Sequence, residues 1–151
     1  MPITTFKLNL FLLRKIPIAW LAGIRVKKIT DDKVVVSLKH SWLNQNPFRS
    51  IYFGVLVMAG ELSTGIPLFV YLLKNKLDIS MLVVEHRSVF YKKATGRIRF
   101  VFNDFDTISR KISEVRESGE PVRFDLQVDA VNAQGEVTGT FIYTWSVKER
   151  K

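Results

Sequence analysis

Between Ser50 and Leu73 lie 24 residues that carry a single charge, Glu61. A stretch this apolar has to be removed from water, and it is long enough either to cross a bilayer or to form the buried helix of a folded domain. Glu61 near its centre, Pro67, three glycines and extended-looking flanks oppose the membrane reading. An ionised carboxylate at mid-membrane costs at least ~2.5 kcal/mol on the insertion scale. The expectation is a buried core helix over about 52–74 and no transmembrane segment. The 151 residues suffice for one ordinary domain and not for two, so residues 1–151 are expected to form a single domain around that helix.

The flanking sequence reads as strands. Gly23–Thr30 and Lys33–His40 alternate around Asp31-Asp32, the pattern of a hairpin. Ser80–Lys93 and Gly96–Phe102 form a second extended pair, with Arg97 and Arg99 alternating against Ile98 and Phe100. Asp104 opens a short helix over Thr107–Glu117, with Ile108, Ile112 and Val115 on one face and Gly119 as its stop. Val122–Val131 and Val137–Val147 make a long hairpin around Asn132-Ala133-Gln134-Gly135. At the N-terminus Ile3, Phe6, Leu10 and Leu13 fall on one helical stripe, predicting an amphipathic helix over 3–16 that packs on the domain. Its apolar runs are too short and too interrupted by Lys7, Arg14 and Lys15 for a secretory signal, so a cytoplasmic location is expected. The fold class is α+β: an antiparallel β-sheet wrapped around a long central helix, with an extra N-terminal helix.

Several chemistries drop out on residue type. There is no cysteine, hence no disulfide, thiolate metal site or cysteine nucleophile. Two histidines, His40 and His86, make a histidine-rich metal site or a serine–histidine triad a poor fit, and no metal is expected. The net charge is +9, but the basic residues alternate with apolar ones and carry no nucleic-acid motif, so no nucleic-acid partner is expected.

Glu61 is the residue that breaks the apolar pattern. A carboxylate in such surroundings is held by partners or has its pKa raised by burial, and a raised carboxylate is a useful general base near neutral pH. Gly54 lies at the expected helix start, where free backbone N–H groups suit a developing oxyanion and a glycine admits close approach. Seven residues separate the two, about 10 Å of helical rise, too far for one helix to serve both ends of one reacting group. Two antiparallel copies would set Gly54 of one subunit opposite Glu61 of the other, which predicts a site shared across a twofold interface.

The run Asn46…Tyr52-Phe53-Gly54…Glu61 resembles the signature of hotdog-fold thioesterases of the PaaI-like group. Their pattern is an asparagine, a His-Gly-Gly opening the central helix, and an acidic residue nine positions after the histidine. Tyr52 stands at the histidine position, Gly54 at the second glycine and Glu61 at the acidic residue, with Asn46 fifteen residues before it. More narrowly the helix is similar to a thioesterase-like subfamily that reads "YFG…GELSTG". The resemblance covers roughly residues 20–148 and implies a hotdog fold, present as a homodimer or a dimer of dimers.

It further implies hydrolysis of an acyl-CoA or acyl-carrier thioester. Glu61 would act as general base or nucleophile, the Gly54 N–H of the partner subunit as oxyanion donor, and Asn46 would orient the carbonyl or water. Ser80 falls near a polar residue that positions water in some members. Tyr52 and Phe53 replace histidine and glycine, so the substrate entrance is bulkier and lacks the imidazole. No cofactor is implied apart from coenzyme A within the substrate, whose phosphates Arg49, Lys92, Lys93 and Arg97 could hold. Two alternatives stay open: a non-catalytic binder of acyl thioesters, and a hydroxyacyl-thioester dehydratase. The latter is disfavoured because its glutamate follows the glycine by five residues rather than seven.

Overall fold

In the computed structural model, which describes residues 2–151, the chain runs through four α-helices and six strands. They are α1 (Thr5–Lys15), α2 (Pro17–Leu21), β1 (Arg25–Ile29), β2 (Val34–Lys39), α3 (Phe53–Lys74), β3 (Ile79–Phe90), β4 (Arg97–Phe102), α4 (Phe105–Ser118), β5 (Val122–Val131) and β6 (Val137–Glu149). A 3-10 turn at Trp42–Asn44 and the loop 45–52 lead into α3. All strand pairings are antiparallel, in the order β1-β2-β4-β5-β6-β3. The sheet curls around α3, which packs on β2, β4, β5 and β6, and α1–α2 close one side.

α3 is apolar on every side because almost every side has a neighbour. Leu56, Ala59, Leu62, Ile66, Leu68 and Leu72 are all buried. Facing them are Val34, Val36 and Leu38 from β2, Ile98 and Phe100 from β4, and Phe141, Tyr143 and Trp145 from β6. α3 is the one helix among the described residues long and apolar enough to cross a membrane, and most of that stretch is buried inside the fold. Two of its glycines are seats for β6 aromatics. A Cβ on Gly60 would collide with the Tyr143 hydroxyl, and one on Gly65 would lie 3.0 Å from the Trp145 ring. Tyr143 then donates its hydroxyl to the Val57 carbonyl (2.6 Å) and Trp145 its indole N–H to Thr64 Oγ1 (3.0 Å). Both buried polar handles are thereby satisfied.

The β1–β2 and β5–β6 hairpins and the α4 caps follow the sequence expectation. Asp104 accepts from the Thr107 N–H (3.2 Å), and Gly119 ends α4 at a left-handed φ of 70°. Two expectations are corrected. Ser80–Lys93 and Gly96–Phe102 do not pair with each other: β3 pairs with β6 along its length, at one edge of the sheet, and β4 pairs with β2 and β5. The linker between them crosses the strand ends. The Tyr91 N–H bonds the Thr138 carbonyl, Ala94 O accepts from Ile51, and Gly96 O accepts from His40. A short connection with a glycine looks like a hairpin in sequence, but its hydrogen bonds are spent on three other segments.

The N-terminal stripe is the second correction. Leu8 and Leu12 are the buried residues of α1, whereas Phe6 is 75% exposed and Leu13 points outward as well. Asn9 sets this rotation. Its amide donates to the Val26 carbonyl and accepts from the Val26 N–H, each at 2.9 Å, pairing the outer edge of β1. Satisfying an open strand edge outweighs the pull of the wider apolar stripe.

Candidate active site

Glu61 leaves α3 towards β3 and β6. It opens on a cavity of about 270 Å³ lined by Ile18, Val57, Met58, Val83, His86 and Tyr143. Among the described residues no side chain or backbone N–H donates to its carboxylate. Burial without a partner pushes the Glu61 carboxyl up to about 7. Tyr143, at the back of the cavity, is itself raised well above the usual phenol range, first by burial and then by the Glu61 charge, so its hydroxyl stays protonated. A carboxylate poised near neutrality beside a small apolar space can take a proton from water without surrendering it to a neighbouring base.

His86 and Tyr143 are the residues of this cavity that sequence reading passed over. Ile79, Met81 and Val83 of β3 share the helix-facing side, and strict alternation would put Glu85 and Arg87 there next. The register instead shifts between Val83 and Glu85, and His86 lies opposite Tyr143 of β6, their rings 6.0 Å apart. This bulge turns the imidazole towards the helix. Nothing in Met81–Arg87 marks it, since no glycine or proline interrupts the run.

Gly54 is the second residue of α3, in the first turn, where backbone N–H groups lack an intrahelical acceptor. It borders a second apolar cavity, about 420 Å³, with Ile18, Leu21, Leu43, Tyr52 and Met58. Ile18 and Met58 border both cavities, so the two adjoin along the flank of α3 beside α2. A Cβ here would sit 2.9 Å from the ring of the exposed Tyr52, which would have to swing aside.

The family model described as a domain of unknown function (DUF4442) matches residues 5–147. The chain belongs to the DUF4442 family. That family is PaaI-like, and its α3-in-sheet architecture is the hotdog fold. The chain is similar to a solved Pseudomonas aeruginosa protein called a probable thioesterase, at 23% identity and a TM-score of 0.82 over 99% of both chains. It is also similar to a Chlorobaculum tepidum protein at 15% identity and a TM-score of 0.83, over 97% of this chain and 94% of the other. A Haemophilus influenzae thioesterase aligns at 13% identity and a TM-score of 0.76, over 99% of this chain and 93% of the other. No curated protein sequence matches the chain.

Within this DUF4442 chain the other expected site residues divide into three places. Tyr52, Phe53, Lys92, Lys93 and Asn46 line a third cavity of about 430 Å³ at the start of α3. The Asn46 amide is spent locally: its Oδ1 accepts from the Phe48 and Ser50 N–H groups at 2.9 and 3.3 Å, and its Nδ2 reaches Ser50 Oγ at 3.0 Å. It holds the loop that launches α3 rather than facing Glu61. Arg49 takes a left-handed φ of 59° in that loop. Lys93 donates to the Phe48 carbonyl (3.3 Å), and Lys92 is ion-paired with Glu136 (2.8 Å).

Ser80 and Arg97 are not brought to Glu61. Ser80 precedes the bulge and faces the outer side of the sheet, its hydroxyl on the Lys148 carbonyl (3.1 Å). Arg97 is exposed on the outer face of β4 next to Arg99, away from Lys92 and Lys93. Among the described residues no three His, Asp or Glu side chains gather as metal ligands.

Proposed function

We propose that the chain hydrolyses acyl thioesters, coenzyme A esters first among them, with Glu61 as general base. The observation that carries this reading is the Glu61 carboxylate itself: half-buried against an apolar cavity, without a protein donor, and titrating near neutrality. Glu61 takes a proton from water as its oxygen adds to the thioester carbonyl. The Gly54 N–H of a second subunit receives the developing oxyanion, the C–S bond breaks, and the departing thiolate is protonated to give acid and free thiol. The proton that Glu61 took from water is the one returned to that sulfur, with His86 across the cavity able to relay it between them. Tyr143 stays protonated and fixes the helix at Val57. Solved thioesterases with the same fold support the reaction class.

The partner is required by distance. β3 is an outer strand with one edge unpaired over twelve residues, and its Val83 and His86 line the Glu61 cavity. A twofold copy pairing along β3 would extend the sheet and add its own α3 start beside the cavity. Tyr52 and Phe53, with rings 5.0 Å apart and both exposed, would then form the apolar mouth in place of an imidazole.

Thiol release from short, aromatic and long acyl-CoA thioesters tests the reading. At least one should be hydrolysed, and kcat/KM should fall tenfold for each pH unit below about 7, because protonated Glu61 cannot accept the water proton. If no thioester is cleaved yet one raises the melting temperature, the chain is an acyl-thioester binder and the hydrolytic reading fails.

A further inference from the structure

We propose that the outer face of β1, β2 and β4 is a second site, binding a phosphate-bearing nucleotide independently of the Glu61 cavity. A groove of about 440 Å³ crosses this face, lined by Lys27, Lys28, Val35, Ser37, Arg97 and Arg99. No carboxylate lines it, and none of the four cations takes part in an ion pair. Asp32, on the β1–β2 turn, feels the Lys28 charge but forms no ion pair with it and accepts from the Thr30 hydroxyl at 2.6 Å. Arg25, across from Ser37 in the register, is committed elsewhere: its guanidinium stacks on Trp20 and donates to the Trp20 and Ile24 carbonyls.

Ser37 is the independent mark of a ligand. It sits on the outward side of β2, opposite Arg99, yet is only 1% exposed. Its hydroxyl has no hydrogen-bond partner, one of two buried side-chain polar atoms so placed among the described residues. A buried donor left unpaired costs about 1–3 kcal/mol, so a hydroxyl under four unpaired cations is a poor arrangement for stability and a good one for an anion.

Arg97 and Arg99 are two positions apart on one strand face, about 7 Å, the span over which neighbouring phosphates or a pyrophosphate can be bracketed. The same two arginines wall a second groove, about 380 Å³, with Val101, Val131, Asn132 and Ala133. The arginine pair thus divides a cationic, hydroxyl-bearing half from an apolar half, where the Asn132 amide is held within its own turn by Gln134 and Glu136. A phosphate group fits the first and a ribose or base fits the second.

Titrations with inorganic pyrophosphate, ADP and adenosine 3′,5′-bisphosphate, followed by backbone amide NMR, test this. The amides of Ser37, Arg97 and Arg99 should shift with all three, and both nucleotides should bind at least fivefold tighter than pyrophosphate. Arg97→Gln/Arg99→Gln, on an exposed strand face, should weaken nucleotide binding more than tenfold and Ser37→Ala about fivefold, while Arg123→Gln leaves it unchanged. Preference for the 3′,5′-bisphosphate would identify the nucleotide end of coenzyme A as the source, and preference for ADP a separate nucleotide. Equal affinity for pyrophosphate and both nucleotides would overturn the nucleotide assignment. Unaltered binding in the double arginine variant would overturn the site.

Discussion

Glu61→Gln is expected to lose thioester hydrolysis by at least 10²-fold and, at the same time, to be more stable than the parent at pH 8. The sign of the stability change follows from the two protonation states. Below pH 4.5 the Glu61 carboxyl is neutral in both folded and unfolded chains, and the substitution changes little. Between 4.5 and about 7 the unfolded chain ionises while the folded one keeps its proton, so the parent loses stability as pH rises. Above about 7 the full penalty of a half-buried, unpartnered carboxylate is in place, on the order of 3 kcal/mol. Glutamine fills the same space and carries no charge to desolvate. Thermal melts should therefore coincide near pH 4.5 and separate by roughly 6–12 °C at pH 8, with the variant higher. A variant of equal or lower stability at pH 8 would mean that the carboxylate is paired in solution.

Gly60→Ala is expected to destabilise the fold by about 2–3 kcal/mol, although alanine is the better helix former. The added methyl meets the Tyr143 hydroxyl and lies 3.2 Å from two ring carbons, inside a buried contact that neither α3 nor β6 can widen alone. Denaturant unfolding of Gly60→Ala, Tyr143→Phe and the double variant checks this. Removing the hydroxyl takes away the closest clash, so the double variant should be less destabilised than the sum of the singles. Strict additivity would show that Gly60 and Tyr143 do not meet as described.

Much of this fold was legible because its strongest signals are local. A 24-residue stretch with one charge can only be a buried or spanning helix, and Asp104 and Gly119 mark the ends of α4 by cap chemistry. The errors arose where partners distant in sequence decide. β3 and β4 look like a hairpin until the edge of β6 takes β3, and the face α1 buries is set by Asn9 bonding to Val26, seventeen residues away. In the site, Glu61 and Gly54 stand out as exceptions within an apolar run. His86 does not, because a one-residue bulge reverses strand alternation without a sequence mark. Ser80 lies before the bulge, where ordinary alternation with Ile79 and Met81 puts it on the outer face, and alternation along β4 carries Arg97 away from Lys92 and Lys93.

The shared site is tested most directly by mixing two inactive proteins. Glu61→Gln lacks the base, and Gly54→Pro lacks the proposed N–H donor, at a first-turn position where a helix has no need of it and where the added ring moves the exposed Tyr52 side chain aside. Each homodimer alone should be at least 10²-fold less active than the parent. After subunit exchange, half of the dimers carry one chain of each kind, and each of these holds one complete site, Glu61 from one subunit facing Gly54 from the other. Thioester hydrolysis should recover to about a quarter of the parent rate. Activity that stays at the level of the separate variants would contradict a site built from Glu61 of one subunit and Gly54 of its partner.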